Sequence, residues 1–204
     1  MSETAVKSST NSESKTHVNT ILADFKLACI SREASLLGRK EVLTGKAKFG
    51  IFGAGKELAQ IAMAKQFKNG DFRSGYYRDQ TFMLAVGELT VKQYLAALYA
   101  HTDIEKDPSS GGRQMGGHYA TRNLNEDGSW KNLMEQKNSS ADISPTAGQM
   151  PRLLGLAQAS TVYKQNELLH SGFEKFSKQG REVAFGTIGD ASTSEGLFWE
   201  TMNA

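Results

Sequence analysis

Apolar positions recur at helical spacing in four stretches of the chain and run unbroken in a fifth. Ile21, Phe25, Ala28 and Cys29 share one helical face and predict a helix over about Asn19 to Leu37. Leu58, Ile61, Ala62 and Lys65 mark a second amphipathic helix, stopped by Asn69-Gly70-Asp71. Val91, Tyr94, Leu95 and Leu98 line one face of a third, and Thr90 and Gln93 stand before it at capping-box spacing. Pro151, Leu153, Leu154 and Ala157 open a fourth that reaches towards Leu169. Val183–Ile188 is short, continuous and apolar, which predicts a strand covered on both faces. Helices come first and the one clear strand late, so the expectation is an α/β domain cut before its sheet is complete.

Gly189-Asp190-Ala191 follows that strand on what should be a tight turn. Ser192 and Glu195, again at capping-box spacing, are expected to open a helix directly behind it. The arrangement sets a carboxylate at the mouth of a sheet, beside helix N–H groups that favour anions. A carboxylate and a phosphate brought together in this way suit a divalent metal such as magnesium. Between Asp103 and Ser144 the periodicity dissolves into Gly, Ser, Asn and Asp. So long a connection is either functional or a surface insertion, and composition alone favours neither.

Composition narrows the partners more than the chemistry. With 204 residues the chain fits one domain or most of one, and 39% apolar residues suffice for a packed core. A net charge of +2 gives no reason to infer nucleic acid or an acidic membrane surface, and no apolar run is long enough to span a bilayer. The lone Cys29 excludes an intrachain disulfide framework, fits a reducing compartment, and among Leu27, Ala28 and Ile30 reads as a buried inert thiol. Residues 1–18 are rich in Ser and Thr without the apolar stretch of a secretory signal; they read as a disordered polar tail, with the domain proper over 19–204. The expectation is a soluble, cytoplasmic protein.

Four segments carry candidate chemistry. Phe52-Gly53-Ala54-Gly55-Lys56-Glu57 lacks the spacing and the closing Ser/Thr of a phosphate loop, so its glycines are expected to serve packing or a turn. Tyr76-Tyr77-Arg78-Asp79 offers a planar guanidinium suited to phosphate beside phenolic donors, although a lone Arg-Asp pair is usually a surface ion pair. Gly111–Tyr119 is a glycine-flanked segment carrying His118, which can exchange protons near neutrality; a structural histidine in a loop is the plainer reading. Ser144-Pro145-Thr146-Ala147-Gly148-Gln149 supplies hydroxyls at a helix N-terminus, or simply a cap. His17, His101 and His170 read as structural or solvated. Neither zinc-ligand spacing nor a Gly-x-Ser-x-Gly elbow occurs.

In this order the segments resemble the alpha part of thiamine diphosphate-dependent 2-oxo acid dehydrogenases, closest to the branched-chain (2-oxoisovalerate) type, over roughly Gly45 to Ala204. The resemblance implies a thiamine diphosphate-binding fold, a parallel sheet flanked by helices. It assigns Tyr77, Arg78, Ser144 and Thr146 to the cofactor, and Gly189, Asp190 and Ala191 to the start of the cofactor motif, with Asp190 a magnesium ligand. His118 inherits an active-site role from the Gly-Arg-Gln-Met…His-Tyr segment, and Phe49 a place in the substrate pocket. Thr146 replaces a usual apolar residue, Gly148 a Thr and Ala191 a Gly. The motif's closing Asn is expected beyond Ala204, since Asn203 stands too close to Asp190 on the same helix. Implied partners are a beta part, fused or separate, a lipoyl acyltransferase and a 2-oxo acid substrate. A chain ending at Ala204 is therefore expected to be an N-terminal piece, inactive by itself. A pyruvate or acetoin type, a non-catalytic piece docking to a beta chain, and a nucleotide binder using Gly53–Lys56 remain as alternatives.

Overall fold

The computed structural model describes residues 3–114 and 116–204, with side chains from residue 17 onwards. The elements in chain order are α1 (Glu3–Leu43), α2 (Glu57–Ala64), β1 (Phe72–Ser74), α3 (Gln80–Val86), α4 (Val91–Leu98), β2 (Asn138–Ser139), α5 (Gln149–Gln165), β3 (Ala184–Gly186) and α6 (Gly196–Asn203). Single 3-10 turns lie at Glu167–Leu169 and Ala191–Ser194. Most of the stretch expected to be a disordered tail, 1–18, has side chains outside the described residues. Among the described residues no helix is long and apolar enough to cross a membrane.

The sheet has three strands in the order β2-β1-β3, all parallel. Register places Arg73 between Ser139 and Phe185, and Ser74 beside Gly186. Because side chains alternate across a strand, Arg73 and Phe185 point to one face and Ser74 to the other. The Phe185 face carries the core: Phe67 meets Phe82 and Phe185 edge-on, each with centroids 5.2 Å apart, and Met83, Val86, Leu89, Tyr94 and Tyr119 close around them. On the other face α5 lies against β1 and β3, and Gly186 lets Leu153 reach the backbone. Ser74 Oγ donates to the Gln149 carbonyl at 2.9 Å and Gln149 Nε2 to the Thr187 carbonyl at 2.8 Å, fixing the start of α5 to the sheet.

The amphipathic periods locate most helices. Thr90 and Gln93 do form a reciprocal capping box at α4. The first helix is longer than its apolar stripe, and its later turns bind through hydroxyls: Ser31 Oγ lies 2.6 Å from Thr81 Oγ1, and Ser35 meets Gln80. Three expectations are corrected. Ser192 and Glu195 form no capping box; Ala191–Ser194 winds as a 3-10 turn and Glu195 precedes α6 without a side-chain bond to its backbone. Cys29 is exposed, since the Ile21–Phe25–Cys29 stripe of α1 faces outward, with Phe25 66% accessible. The late strand is also shorter than its apolar run and only partly buried.

At the start of α2, Glu57 closes the glycine turn before it. Its carboxylate accepts from the Gly55 amide at 3.0 Å and receives Arg32 of α1 through two hydrogen bonds of 2.7 and 2.9 Å. Those Arg32 bonds, against a smaller opposing effect of burial, hold the Glu57 carboxyl down at about 2. A lowered folded value means stability that is present above the ordinary 4.5 and lost as pH falls through about 2. Glu57→Gln should therefore flatten the acid limb of the stability profile between those values; urea unfolding at a series of pH values checks this.

Candidate functional site

Parallel strands discharge their C-terminal ends on the same side of a sheet, where open α/β folds bind ligands. Here β1 leads into Gly75-Tyr76-Tyr77-Arg78-Asp79, β2 into Ser140 to Ser144, and β3 into Thr187 to Asp190. Of the four segments that carry the family resemblance, those at Tyr77, Ser144 and Asp190 thus gather at one edge by topology alone. The fourth arrives by packing: a Cβ on Gly117, whose φ is +90°, would stand 2.6 Å from the Tyr77 carbonyl oxygen. Only a glycine lets the His118 segment lie on Tyr77 so closely. His118 Nε2 is then hydrogen-bonded to Ser144 Oγ, 26 positions further along the chain.

A buried ionic centre holds these segments together. Arg73 is wholly inaccessible, as are its two acid partners. Its Nε and Nη2 donate to Asp79 Oδ2 at 3.1 and 2.6 Å, and Nη1 donates to Asp142 Oδ1 at 2.8 Å and to Ser139 Oγ at 2.7 Å. Nη2 also reaches Asp142 Oδ2 and the Tyr76 carbonyl, each at 3.3 Å. Asp142 Oδ2 accepts from the Tyr119 amide at 3.2 Å, next to His118. Asp79 accepts from the Thr187 hydroxyl, three residues before Asp190, and from Gln60 Nε2 at 3.2 Å. Burial opposes the charge on Arg73, but the two carboxylates outweigh it and raise its pKa further. Burial pushes the Asp142 carboxyl up to about 6 against the pull of Arg73, and Asp79 adds to the rise. Gly75 is needed here as well, since a side chain on it would land on the Arg73 guanidinium.

Around that centre the expected site residues sort themselves. Arg78 does not pair with Asp79, whose carboxylate is taken by Arg73; only its carbonyl is tied down, by Gln60 Nε2 at 3.0 Å. Its guanidinium lies over the Tyr76 and Tyr77 rings at 6.0 and 5.7 Å, and its Nε is buried with no hydrogen-bond partner among the described residues. A cation left without an acid, flanked by aromatic faces, is built to receive an anion. Ser144 and Thr146 are exposed in the loop before α5. Ala147 behind them is buried at 1% exposure with φ +61°, a left-handed conformation unusual for a residue with a Cβ. Gly189 and Ala191 flank Asp190 at the turn leaving β3, where the Asp190 carboxylate is exposed and, among the described residues, has no hydrogen-bond or ion-pair partner. No cluster of three or more His, Cys, Asp or Glu gathers among the described residues, so Asp190 can offer a metal one carboxylate. That suffices for Mg²⁺, which commonly takes one or two carboxylates and completes its octahedron with phosphate oxygens and water.

Phe49 lines a cavity of about 450 Å³ with Leu98, Tyr99, Lys48, Arg113 and Gly116. His118 lines a different, smaller hollow with Tyr119, Leu89 and Asp107. Met115, inside the expected Gly111–Tyr119 segment, lies outside the described residues. In the glycine run Gly53–Lys56 the Gly55 amide is already bonded to Glu57 and the Gly53 amide to Gln80 Oε1 at 3.1 Å, so neither faces a phosphate. Sequence reasoning passed over Arg73, Asp142, Gln60 and Gln149. For Arg73 one signal existed, a charge in the short run Phe72-Arg73-Ser74 between two turn clusters.

The chain is similar to known proteins. The model of the family described as "Dehydrogenase E1 component" matches residues 26–204. The chain is also 31% identical over 161 residues to a Bacillus subtilis (strain 168) protein named 2-oxoisovalerate dehydrogenase subunit alpha, covering 78% of this chain and 39% of that relative. The chain thus spans about two fifths of the length of the curated relative it matches.

The Gly117–Tyr77 approach yields a direct check. Gly117→Ala adds a Cβ against backbone and forces an unfavourable φ, so it should destabilise the fold by roughly 1–3 kcal/mol. A lowered urea midpoint with an unchanged slope would show it.

Proposed function

Since the chain belongs to the dehydrogenase E1 component family, we propose that it supplies the diphosphate-holding half of a thiamine diphosphate- and Mg²⁺-dependent 2-oxo acid dehydrogenase. The observation that carries this reading is Arg78, a half-buried guanidinium with an orphaned Nε and no acid partner among the described residues. It stands at the same sheet edge as the Ser144 hydroxyl and the unpaired Asp190 carboxylate. Together these match what a metal-bound diphosphate requires: a guanidinium and hydroxyls for its oxygens and a carboxylate for its cation.

In this reading Tyr77, Arg78, Ser144 and Thr146 hold the diphosphate, Gly189 and Ala191 shape the turn that presents Asp190, and Asp190 holds magnesium. Bound thiamine diphosphate supplies the electron sink for decarboxylating a 2-oxo acid. The chain's own work is positional and protonic. Tyr76 and Tyr77 cover Arg78 and keep water from its faces. The hydrogen bond to Ser144 orients the His118 imidazole at the edge where substrate would arrive. A branched 2-oxo acid is the favoured substrate, supported by the B. subtilis relative's name and by the apolar Phe49–Leu98 wall of the neighbouring cavity. Passage of the acyl group to a lipoyl acyltransferase, in a cytoplasmic complex with a beta part, completes the proposal. Exposed Leu197, Trp199 and Met202 on α6, and Val18, Ile21, Leu22 and Phe25 on α1, support a further protein surface against this one.

Calorimetric titration of thiamine diphosphate with Mg²⁺ tests the reading. Arg78→Ala should weaken binding at least about tenfold, the loss expected for a charge-assisted hydrogen bond. Asp190→Asn should remove the magnesium dependence while sparing the fold. Equal affinity in wild type and Arg78→Ala would overturn the assignment.

A further inference from the structure

We propose that Arg73 and Asp142 are positioning residues for His118 and Ser144: the Asp142 carboxylate clamps the His118–Tyr119 segment and the Ser144 loop against the Arg73 guanidinium, and so fixes the hydrogen bond between the two site side chains. The proposal rests on the reading above only for what the pair faces, a diphosphate.

The geometry is specific to that role. Asp142 uses Oδ1 for Arg73 Nη1 at 2.8 Å, while Oδ2 takes the Tyr119 amide at 3.2 Å and Arg73 Nη2 at 3.3 Å. One carboxylate therefore joins β1 to residues on both sides of the pair: Tyr119 adjoins His118, and Asp142 stands two residues before Ser144. A second tie repeats the first, since the Asp142 amide donates to the Tyr119 carbonyl at 3.2 Å. Nothing else on the central strand reaches this far, because β1 has only three residues and its other side chains face α5 or lie nearer the solvent. Ser144 and His118 themselves are exposed enough to meet a ligand, so their mutual orientation depends on the buried groups behind them.

The groups facing Asp142 are Arg73 from β1, Asp79 from the start of α3, and the amide and phenol of Tyr119, whose ring in turn faces Tyr94 of α4. Both phenols are buried without a hydrogen-bond partner among the described residues, and burial holds each well above its ordinary value, so neither titrates near neutrality. Asp142, held up to about 6, is the group that does. Above that pH it is ionised and accepts all its donors; as pH falls through about 6 it takes a proton and releases part of the clamp.

Nuclear magnetic resonance on the whole protein reads this without activity. In wild type the Tyr119 amide proton should move through an inflection near pH 6, with the His118 Nε2 signal responding in the same interval. Asp142→Asn, which keeps the shape and one acceptor, should abolish the Tyr119 inflection and shift His118 Nε2 away from its hydrogen-bonded position. It should also raise the dissociation constant for inorganic pyrophosphate about tenfold. A merely structural Asp142 would lower thermal stability and leave the His118 signal in place, which would overturn the proposal. If Asp142→Asn does not fold, amide exchange in wild type decides alone: a Tyr119 amide as unprotected as an exposed loop amide overturns the clamp. Wild-type protein that ignores pyrophosphate yet shows the coupled inflection supports the positioning role and overturns the diphosphate reading, so the two fail separately.

Discussion

A guanidinium shut away from water has to be answered on every side, and this fold is arranged around answering one. Arg73 sits in the middle of the central strand on the face that packs against Phe82, whose ring lies 5.8 Å from its Cζ. An isolated charge there would cost several kcal/mol in desolvation, so the surrounding chain must bring acids and carbonyls to it. Those groups come from the turn after β1, the loop after β2 and, through Asp79, the end of β3. The electrostatic requirement of one residue thus draws together the three strand exits that bear the candidate chemistry. Apolar packing forms the domain; this ionic centre sets the arrangement of its working edge.

Two layers of polar contacts follow. Inside are buried groups, Arg73, Asp79 and Asp142, together with Gln60 and Gln149, which tie α2 and α5 to the same edge. Outside are Arg78, Ser144, His118 and Asp190, partly or wholly accessible. The division explains why Asp79 is unavailable to Arg78: the inner layer consumes it. Arg78 is left without an acid because its neighbour in sequence serves another residue, which keeps its charge available for an incoming ligand.

The helices with a clean apolar period were legible, down to the Thr90–Gln93 box, and so were the segments at the strand exits. Their meeting was legible only through family resemblance. The sheet itself was half hidden: β1 and β2 contribute three and two residues and carry Arg, Ser and Asn in place of an apolar run, so they have none of the usual signs of a buried parallel strand. Arg73 was passed over for the same reason, as burial of a charge depends on partners 6 and 69 positions away. The outward stripe of α1 misled for the opposite reason. Its periodicity is real, but a period says that one face is apolar and not what covers it.

The division of labour among Arg73, Asp79 and Asp142 bears on how such a chain can change. Losing any one member strands a charge in the interior, whereas exchanging all three for well-fitted apolar groups can leave stability intact. The three positions are therefore bound to one another in their tolerance of substitution. Single steps away from the trio are blocked by stability, and joint replacement stays open to the fold while removing what aligns the loops. Sequence drift at this edge should be frozen or wholesale, seldom gradual.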